Sequence, residues 1–357
     1  MMGHRPKILV VNAITGGGGV TESFLTSLTM LRRSGIDPVA LVPSNFLFLD
    51  RLKQAGLTVE QDDWLAAKGA LLVPFQAARI ARVAKRHGVD RILLNNGRFV
   101  NWLRRFSRQP VVTLYHGGKL GRVLASDRII TINEPQRQAL VAAGYSPGSV
   151  DVIDNAYPHD SVPAFVSRAP NTPVRIGTLR LLEPAKGVDV LIRAAAILRK
   201  QGYAFLLEIG SSGSQLEALK SLAQESGLEG QVNFRGWIED RDAFYAGLDL
   251  YVLPSRQEEW GIGIIEAWAA SLPVVATACL GPLRLVADEE TGLIVPVNDP
   301  EAMATALARC LDDATLRQRL AVNGHGEVAR YTLPRIAERY GASVMGPLIS
   351  ARLPATK

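Results

Sequence analysis

The sequence predicts an α/β protein of two Rossmann-like, doubly wound parallel-sheet domains that face each other across a cleft. Short apolar runs, typical of buried parallel strands, alternate with helix-length amphipathic segments along the chain. This alternation stops in the proline-containing stretch 159–173, which is typical of an interdomain linker, and then restarts. The chain has 357 residues, 47% of them hydrophobic, and this size favours two domains over one.

Each predicted domain has its own series of strands. The first series is KILVVNA (7–13), PVALVPS (38–44), RILLNN (91–96), PVVTLYH (110–116) and DRIITIN (127–133). The second series is VRIGTL (174–179), FLLEIGSS (205–212), VNFRGW (232–237), LDLYVLPS (248–255), LPVVAT (272–277) and TGLIVP (291–296). We therefore expect domains at 1–165 and 172–333, with a C-terminal helix within about 334–357 that is a candidate to pack on the first domain.

The composition and the apolar runs argue against a membrane-spanning protein, a secreted protein and a disulfide-rich protein. No stretch holds about 18 consecutive apolar residues, so no membrane-spanning helix is predicted. The apolar run 7–13 is short enough to be a strand and lacks a small-residue cleavage site, which favours a strand over a signal peptide. Two cysteines, Cys279 and Cys310, are too few for a disulfide framework and indicate a reducing cytoplasm.

The positive charge is concentrated in the first half of the chain. Residues 1–160 hold 20 Lys and Arg against 12 Asp and Glu, whereas residues 161–357 hold 20 against 22. In the first half, 74–88 and 101–108 place arginines beside aromatic residues, which suits either an ordinary surface or a face resting on an anionic membrane. Nucleic acid is disfavoured as a partner, because no recognition motif is present.

Four glycines, Gly16–Gly19, follow the first strand. They allow the backbone to approach a ligand closely at the start of a helix. A dinucleotide fingerprint would need glycine where Thr21 stands, and an acid is missing after the second strand, so NAD binding is disfavoured. A loop without a ligand remains the alternative.

Two cations, Arg180 and Lys186, lie between the strand 174–179 and the next amphipathic helix. Gly187 permits a tight entry into that helix. Two cations beside the positive end of a helix suit a diphosphate. The alternative is that both side chains are simply solvated.

Two glutamates, Glu258 and Glu266, stand eight positions apart in RQEEWGIGIIEAW (256–268). We expect Glu258 in the loop after a strand, and Gly261 with Ile262 at the start of a helix that contains Glu266. A carboxylate offers two acceptor oxygens to the paired hydroxyls of a sugar or ribose. Alternatively, Glu266 only balances the helix dipole.

In their order, these stretches resemble the retaining glycosyltransferases of family 4, which have the GT-B fold. The resemblance covers most of the chain and is strongest over 174–299. It is carried by GTLRLLEPAKG (177–187), the two glutamates, PVVAT (273–277) and TGLIVPVND (291–299).

The resemblance implies a UDP-, GDP- or other nucleoside diphosphate sugar as donor, with no metal and no other cofactor. It implies a glycan or lipid-linked acceptor, in bacterial cell-surface polysaccharide or glycolipid synthesis. The enzyme would be cytoplasmic or peripheral on the inner face of the plasma membrane. A GT-B epimerase or phosphorylase, or a non-catalytic nucleotide-sugar binder, remains an alternative.

The resemblance also assigns roles to individual residues. Arg180 and Lys186 would hold the diphosphate, Glu258 the transferred sugar and Glu266 the ribose. The residues implied in catalysis are Lys186, Arg180, Glu258 and His116, the last beside the donor sugar or with a structural role. The residues implied in donor binding are Gly18, Gly19, Glu266, Gly261, Ile262 and Trp237.

Three positions depart from the family pattern. The family's Gly-Arg-Leu reads Leu179-Arg180-Leu181, so without a gap Leu181 stands in the arginine slot and Arg180 needs a one-residue shift. Glu259 replaces a glycine after the first glutamate, and Arg284 replaces a glutamate in G-x-x-E. These changes predict an unusual nucleoside end of the site.

Overall fold

The structure, a computed structural model, describes residues 5–16, 19–167 and 169–348. The chain divides into an N-terminal unit, Met1–Pro158 with Leu333–Lys357, and a C-terminal unit, His159–Thr332. The division after Pro158 comes earlier than the expected domain end at 165, because the linker bonds to the C-terminal unit. His159 Nε2 lies 3.2 Å from Asp242 Oδ2, and His325 Nε2 lies 2.9 Å from the Pro163 carbonyl oxygen.

The sheet of the N-terminal unit is wholly parallel in the described residues, with the order β3-β2-β1-β4-β5-β6-β7. Its strands are β1 (Lys7–Val11), β2 (Asp37–Val42), β3 (Thr58–Gln61), β4 (Arg91–Leu94), β5 (Val111–Tyr115), β6 (Arg128–Thr131) and β7 (Val150–Val152). The helices between them are α1 (Gly19–Arg33), α2 (Leu49–Gln54), α3 (Val73–Arg86), α4 (Val100–Phe106) and α5 (Glu134–Ala142).

The C-terminal unit has a second parallel sheet, with the order β10-β9-β8-β11-β12-β13. Its strands are β8 (Val174–Leu179), β9 (Phe205–Gly210), β10 (Val232–Gly236), β11 (Leu250–Leu253), β12 (Val274–Thr277) and β13 (Leu293–Val295). Its helices are α6 (Val188–Lys200), α7 (Leu216–Glu225), α8 (Arg241–Ala246), α9 (Ile262–Ala269), α10 (Leu280–Leu285), α11 (Pro300–Asp312) and α12 (Ala314–Glu327).

The unbroken apolar runs follow from burial on both faces of each sheet. In β1, Ile8 packs in one core cluster with Phe24 of α1, while Leu9 packs in another with Ile80 of α3. Successive side chains of a strand point to opposite faces, so a strand covered on both sides needs apolar residues throughout.

The last helix, α13 (Leu333–Met345), belongs to the N-terminal unit and packs on α1. Tyr340 Oη donates to Ser27 Oγ at 2.9 Å. Gly341 permits the close approach, because a Cβ there would collide with the Ser34 side chain.

Both sheets reverse their winding direction once, between β1 and β4 and between β8 and β11. At such a switch point the connections leave in opposite directions, so the carboxyl ends of the two central strands border a crevice. The loops after β1, β4, β8 and β11 are therefore where ligand-binding residues are expected.

Candidate functional site

The loops after β8 and β11 are tied together by backbone contacts. Gly187 adopts a left-handed conformation (φ +63°), and a Cβ there would collide with the carbonyl oxygen of Pro254. The amides of Arg256 and Gln257 donate to the Ala185 carbonyl at 2.9 and 3.1 Å. The glycine in the sequence thus serves both a turn and a close approach between two loops.

An ion pair reinforces this junction. The Arg256 guanidinium makes two bonds of 2.7 Å to the Asp189 carboxylate on α6, and a third of 2.7 Å to the Pro184 carbonyl. A two-pronged arginine–carboxylate pair fixes direction as well as distance. The loop that carries Glu258 is therefore held against the turn that carries Lys186.

Arg180, Lys186 and Glu258 meet at the switch point of the C-terminal sheet. Lys186 Nζ lies 3.1 Å from Glu258 Oε2, and the Arg180 guanidinium bonds to the same oxygen. The side chains are 8% exposed for Arg180 and 26% for Lys186. Two cations thus share one carboxylate in a poorly solvated place, which leaves net positive charge available to an anion.

Burial lowers the pKa of Lys186 to about 8, and the neighbouring Arg180 guanidinium acts in the same direction. Desolvation and a like charge both disfavour the ammonium form. An anion that bound beside Lys186 would restore the charged form, so anion binding and protonation of this amine are coupled.

Glu266 lies on α9 and is buried. Its Oε2 accepts a hydrogen bond of 2.9 Å from Tyr245 Oη and another from the Arg241 guanidinium. Sequence reasoning missed both donors. The only local signal is their spacing of four residues on α8, which places them on one helix face.

The start of α9 offers free amides. Gly261 precedes the helix in a left-handed conformation (φ +97°), and no side chain caps the amides that begin at Ile262. Gly263 leaves room for the buried Tyr251 hydroxyl, with which a Cβ would collide. An uncapped helix N-terminus attracts negative charge, and this one begins four residues after Glu258.

Several buried polar atoms of this region have no hydrogen-bond partner among the described residues. They are Thr178 Oγ1, Arg180 Nε, Ser255 Oγ and Trp260 Nε1. Such atoms cost free energy when unpaired. They lie on β8, on the loop after it and on the loop after β11, where polar atoms of a ligand could satisfy them.

The geometry explains two of the departures in the sequence. Arg180 is the residue that reaches Glu258, while Leu181 is partly exposed, so the one-residue shift places the arginine in the cluster. Arg284 lies over the Trp260 ring, 4.8 Å from its centre, which is a cation–π contact. Trp237 follows β10 and is 50% exposed, so part of its side chain is open to contact.

The switch point of the N-terminal unit carries neutral groups. His116 follows β5 and its Nε2 lies 3.5 Å from Oδ1 of the buried Asn95, which itself donates to the Val20 carbonyl at 2.6 Å. Burial lowers the pKa of His116 to about 4, so the imidazole is neutral near pH 7. Gly18 lies outside the described residues, and Gly19 is the first residue of α1.

The described residues hold neither a cluster of metal-ligating side chains nor a membrane-spanning helix. Across residues 5–16, 19–167 and 169–348, no three His, Cys, Asp or Glu side chains gather as metal ligands would. In the same ranges, no helix combines the length and apolar content needed to cross a membrane.

Comparison with solved structures identifies the fold. The chain superposes on the Anabaena Alr3699/HepE structure, determined in complex with UDP and glucose, with a TM-score of 0.82 and 20% identity over 96% of this chain and 100% of that one. A sucrose-phosphate synthase from Thermosynechococcus elongatus gives a TM-score of 0.78 at 21% identity, over 94% and 98% of the two chains. The chain therefore has the GT-B fold, and the predicted fold class is confirmed.

One family model matches most of the C-terminal unit. Residues 164–326 match the family model described as Glycosyl transferases group 1. The matched segment lies within the C-terminal unit, His159–Thr332. The finer assignment to family 4 stays a prediction.

The curated relatives that the chain matches include glycosyltransferases. The lipopolysaccharide core biosynthesis glycosyltransferase LpsE of Rhizobium meliloti (strain 1021) is 36% identical over 171 residues, 48% of this chain and 49% of the relative. The alpha-D-kanosaminyltransferase of Streptomyces kanamyceticus is 34% identical over 272 residues, 75% of this chain and 61% of the relative. The chain thus spans about half the length of the first curated relatives it matches.

Proposed function

We propose that the protein is a retaining glycosyltransferase. It moves a sugar from a nucleoside diphosphate sugar to a glycan or lipid-linked acceptor, in bacterial cell-surface polysaccharide or glycolipid synthesis. The observation that carries the proposal is the convergence of Arg180 and Lys186 on Glu258 at the switch point of a group 1 glycosyltransferase domain.

The proposed reaction develops negative charge on the departing nucleoside diphosphate. Cations and dipoles that are already in place stabilise such charge most effectively, because they need no reorganisation. Arg180, Lys186 and the uncapped start of α9 supply that positive potential from the protein itself. Donor binding therefore needs no metal in this proposal.

The rest of the donor follows from the neighbouring groups. Glu266 would accept from a ribose hydroxyl, Trp237 would contact the base, and Glu258 would turn from the cations to a sugar hydroxyl. Two of the relatives support sugar transfer, since one is a lipopolysaccharide core glycosyltransferase and the other a kanosaminyltransferase. Structural neighbours bound to UDP and to UDP-glucose make UDP compounds the first donors to test.

The N-terminal unit would bind the acceptor. On the donor side, His116 would hydrogen-bond a hydroxyl of the donor sugar as a neutral imidazole, since its pKa of about 4 leaves it uncharged. Gly19, the first residue of α1, would let the chain approach the reacting groups closely.

A membrane surface is the proposed location of a lipid-linked acceptor, with the enzyme cytoplasmic and peripheral. Leu71, two residues before α3, and Phe75, in its first turn, are 88% and 70% exposed. Along the same helix Arg79 pairs with Asp62 and Arg86 with Glu60, so those charges are partly neutralised. Apolar insertion would then matter as much as attraction to anionic lipid.

Binding and product analysis test the function. Thermal shift with UDP, GDP, ADP and TDP should show one preferred nucleotide, with about 2.7 kcal/mol of stabilisation when the ligand is at about 100 times its Kd. Incubation with the matching labelled sugar nucleotide and acceptors should give a product with retained anomeric configuration, also in excess chelator. Hydrolysis alone, epimerised donor, inverted product or loss of activity in chelator would each contradict the corresponding part of the proposal.

A further inference from the structure

The Glu266 carboxylate is bound asymmetrically. Both of its hydrogen bonds, from Arg241 and from Tyr245, go to Oε2. Among the described residues, none hydrogen-bonds to Oε1. A carboxylate oxygen can accept about two hydrogen bonds, so the donors on Oε2 leave the second oxygen available.

The two donors are themselves fixed. Arg241 is the first residue of α8, and the Asp240 side chain caps that helix by accepting from the Ala243 amide at 2.9 Å. Tyr245 is buried one turn later on the same face, where its hydroxyl points to α9. Glu266 therefore has its position set by two groups on a neighbouring helix.

We propose that Arg241 and Tyr245 are positioning residues that orient Glu266 so that Oε1 accepts from a ribose hydroxyl, which makes the site selective for ribonucleotide over 2′-deoxyribonucleotide donors. This inference rests on the proposed function, because it assumes that the ligand is a nucleotide. The Arg241 charge also offsets the Glu266 charge, which lowers the repulsion between this carboxylate and a diphosphate.

A purely structural role would give a different result. In that case the Arg241–Glu266 pair would only hold α8 against α9, and its loss would weaken every nucleotide equally. The ratio of affinities for a ribonucleotide and its 2′-deoxy counterpart separates the two roles, because unfolding or loosening of the unit cancels in that ratio.

The experiment measures the affinity of the full chain for UDP and 2′-deoxy-UDP, and for GDP and 2′-deoxy-GDP, by calorimetry. The variants are Arg241→Gln, Arg241→Lys and Tyr245→Phe. Arg235→Gln is the matched control, since Arg235 likewise pairs with a buried glutamate, Glu208, at 3.4 Å. Thermal midpoints of all variants report whether each one is folded.

The wild type should prefer the ribonucleotide by roughly tenfold to a hundredfold, the range for one hydrogen bond to a charged group. Arg241→Gln should bring that ratio close to one, Arg241→Lys should restore part of it, and Arg235→Gln should leave it unchanged. An unchanged ratio in Arg241→Gln, with ribonucleotide still bound, would overturn this inference and leave the proposed function standing. Failure of the wild type to bind any of the four probes would overturn the proposed function, and this inference with it.

Discussion

The switch points of the two units have the same strand arrangement but carry different side chains, charged in the C-terminal unit and neutral in the N-terminal unit. In each unit the strand order turns at a central pair, β1 with β4 and β8 with β11. The C-terminal one gathers charged groups, among them Arg180, Lys186 and Glu258. The N-terminal one gathers the neutral His116 and the amide of Asn95.

The difference indicates that the sheet sets where a candidate site forms, while the loops set the charge of that site. Charged groups at the end of β8 suit a charged ligand, such as a diphosphate, because their field is strong where water is scarce. Neutral donors and acceptors suit hydroxyls, which need direction more than charge.

The largest effect is expected at Lys186. Lys186→Ala should lower the rate of transfer on the order of 100- to 1,000-fold, because a cation already aimed at the leaving diphosphate is lost. Steady-state kinetics measure it, with circular dichroism to show an intact fold. Lys220→Ala is the control, since Lys220 is an exposed lysine that pairs with Glu217 on α7. Near-normal turnover in Lys186→Ala would contradict the role of the C-terminal switch point in stabilising the leaving diphosphate.

At the N-terminal switch point, the buried neutral His116 should make the stability of the unit depend on pH. The folded pKa of His116, about 4, lies below its ordinary value of 6.5. The unfolded chain therefore binds the proton more tightly, and stability falls as the pH drops through the window from about 6.5 to about 4. Between about pH 7.5 and about pH 5 the N-terminal unit should lose about 2 kcal/mol of unfolding free energy from this group.

His116→Gln should remove that loss, because glutamine does not titrate. Hydrogen exchange resolved by peptide measures the stability of the N-terminal unit in each variant. His159→Gln is the control, since His159 is an exposed histidine of the C-terminal unit. The same acid sensitivity in His116→Gln and in the wild type would show that this imidazole is not held neutral.

Nucleotide affinity should fall as the pH rises through the pKa of Lys186, which is about 8. Only the ammonium form attracts the diphosphate, so the affinity for UDP or GDP should drop up to about tenfold between about pH 7 and about pH 9. Calorimetry in buffers of different ionisation enthalpy should also detect proton uptake on binding. Lys186→Arg should flatten the profile, and a pH-independent wild type would contradict the assignment.

The smallest effect concerns Glu258, which competes with the ligand for the cations. Glu258→Gln should raise the affinity for the free nucleoside diphosphate several-fold, up to about tenfold, because Arg180 and Lys186 lose their carboxylate partner. Turnover should fall, because the transferred sugar loses a contact. Glu217→Gln serves as control for an exposed glutamate. Unchanged affinity would mean that the carboxylate does not occupy the diphosphate position.

Much of this site could be predicted from the sequence, because the residues concerned follow strands directly. Arg180 comes one residue after β8, and Gly261 adjoins α9. Arg241 and Tyr245 could not be predicted, since nothing local shows that α8 delivers two donors to a glutamate 21 to 25 residues later. The division after Pro158, before the predicted domain end at 165, also depends on packing, because His159 and Pro163 contact Asp242 and His325 of the C-terminal unit.

The sequence by itself determined the two parallel sheets, their strands apart from the short β3 and β7, and the glycines at their turns, because apolar periodicity and backbone freedom are local properties. Only the tertiary structure decided which side chains meet. It places Arg180, and not Leu181, against Glu258, and it directs the Arg241 guanidinium to Oε2 of Glu266. The physical reason is that a side-chain contact depends on the register of distant strands and on the packing of the helices between them, which no short stretch of residues specifies.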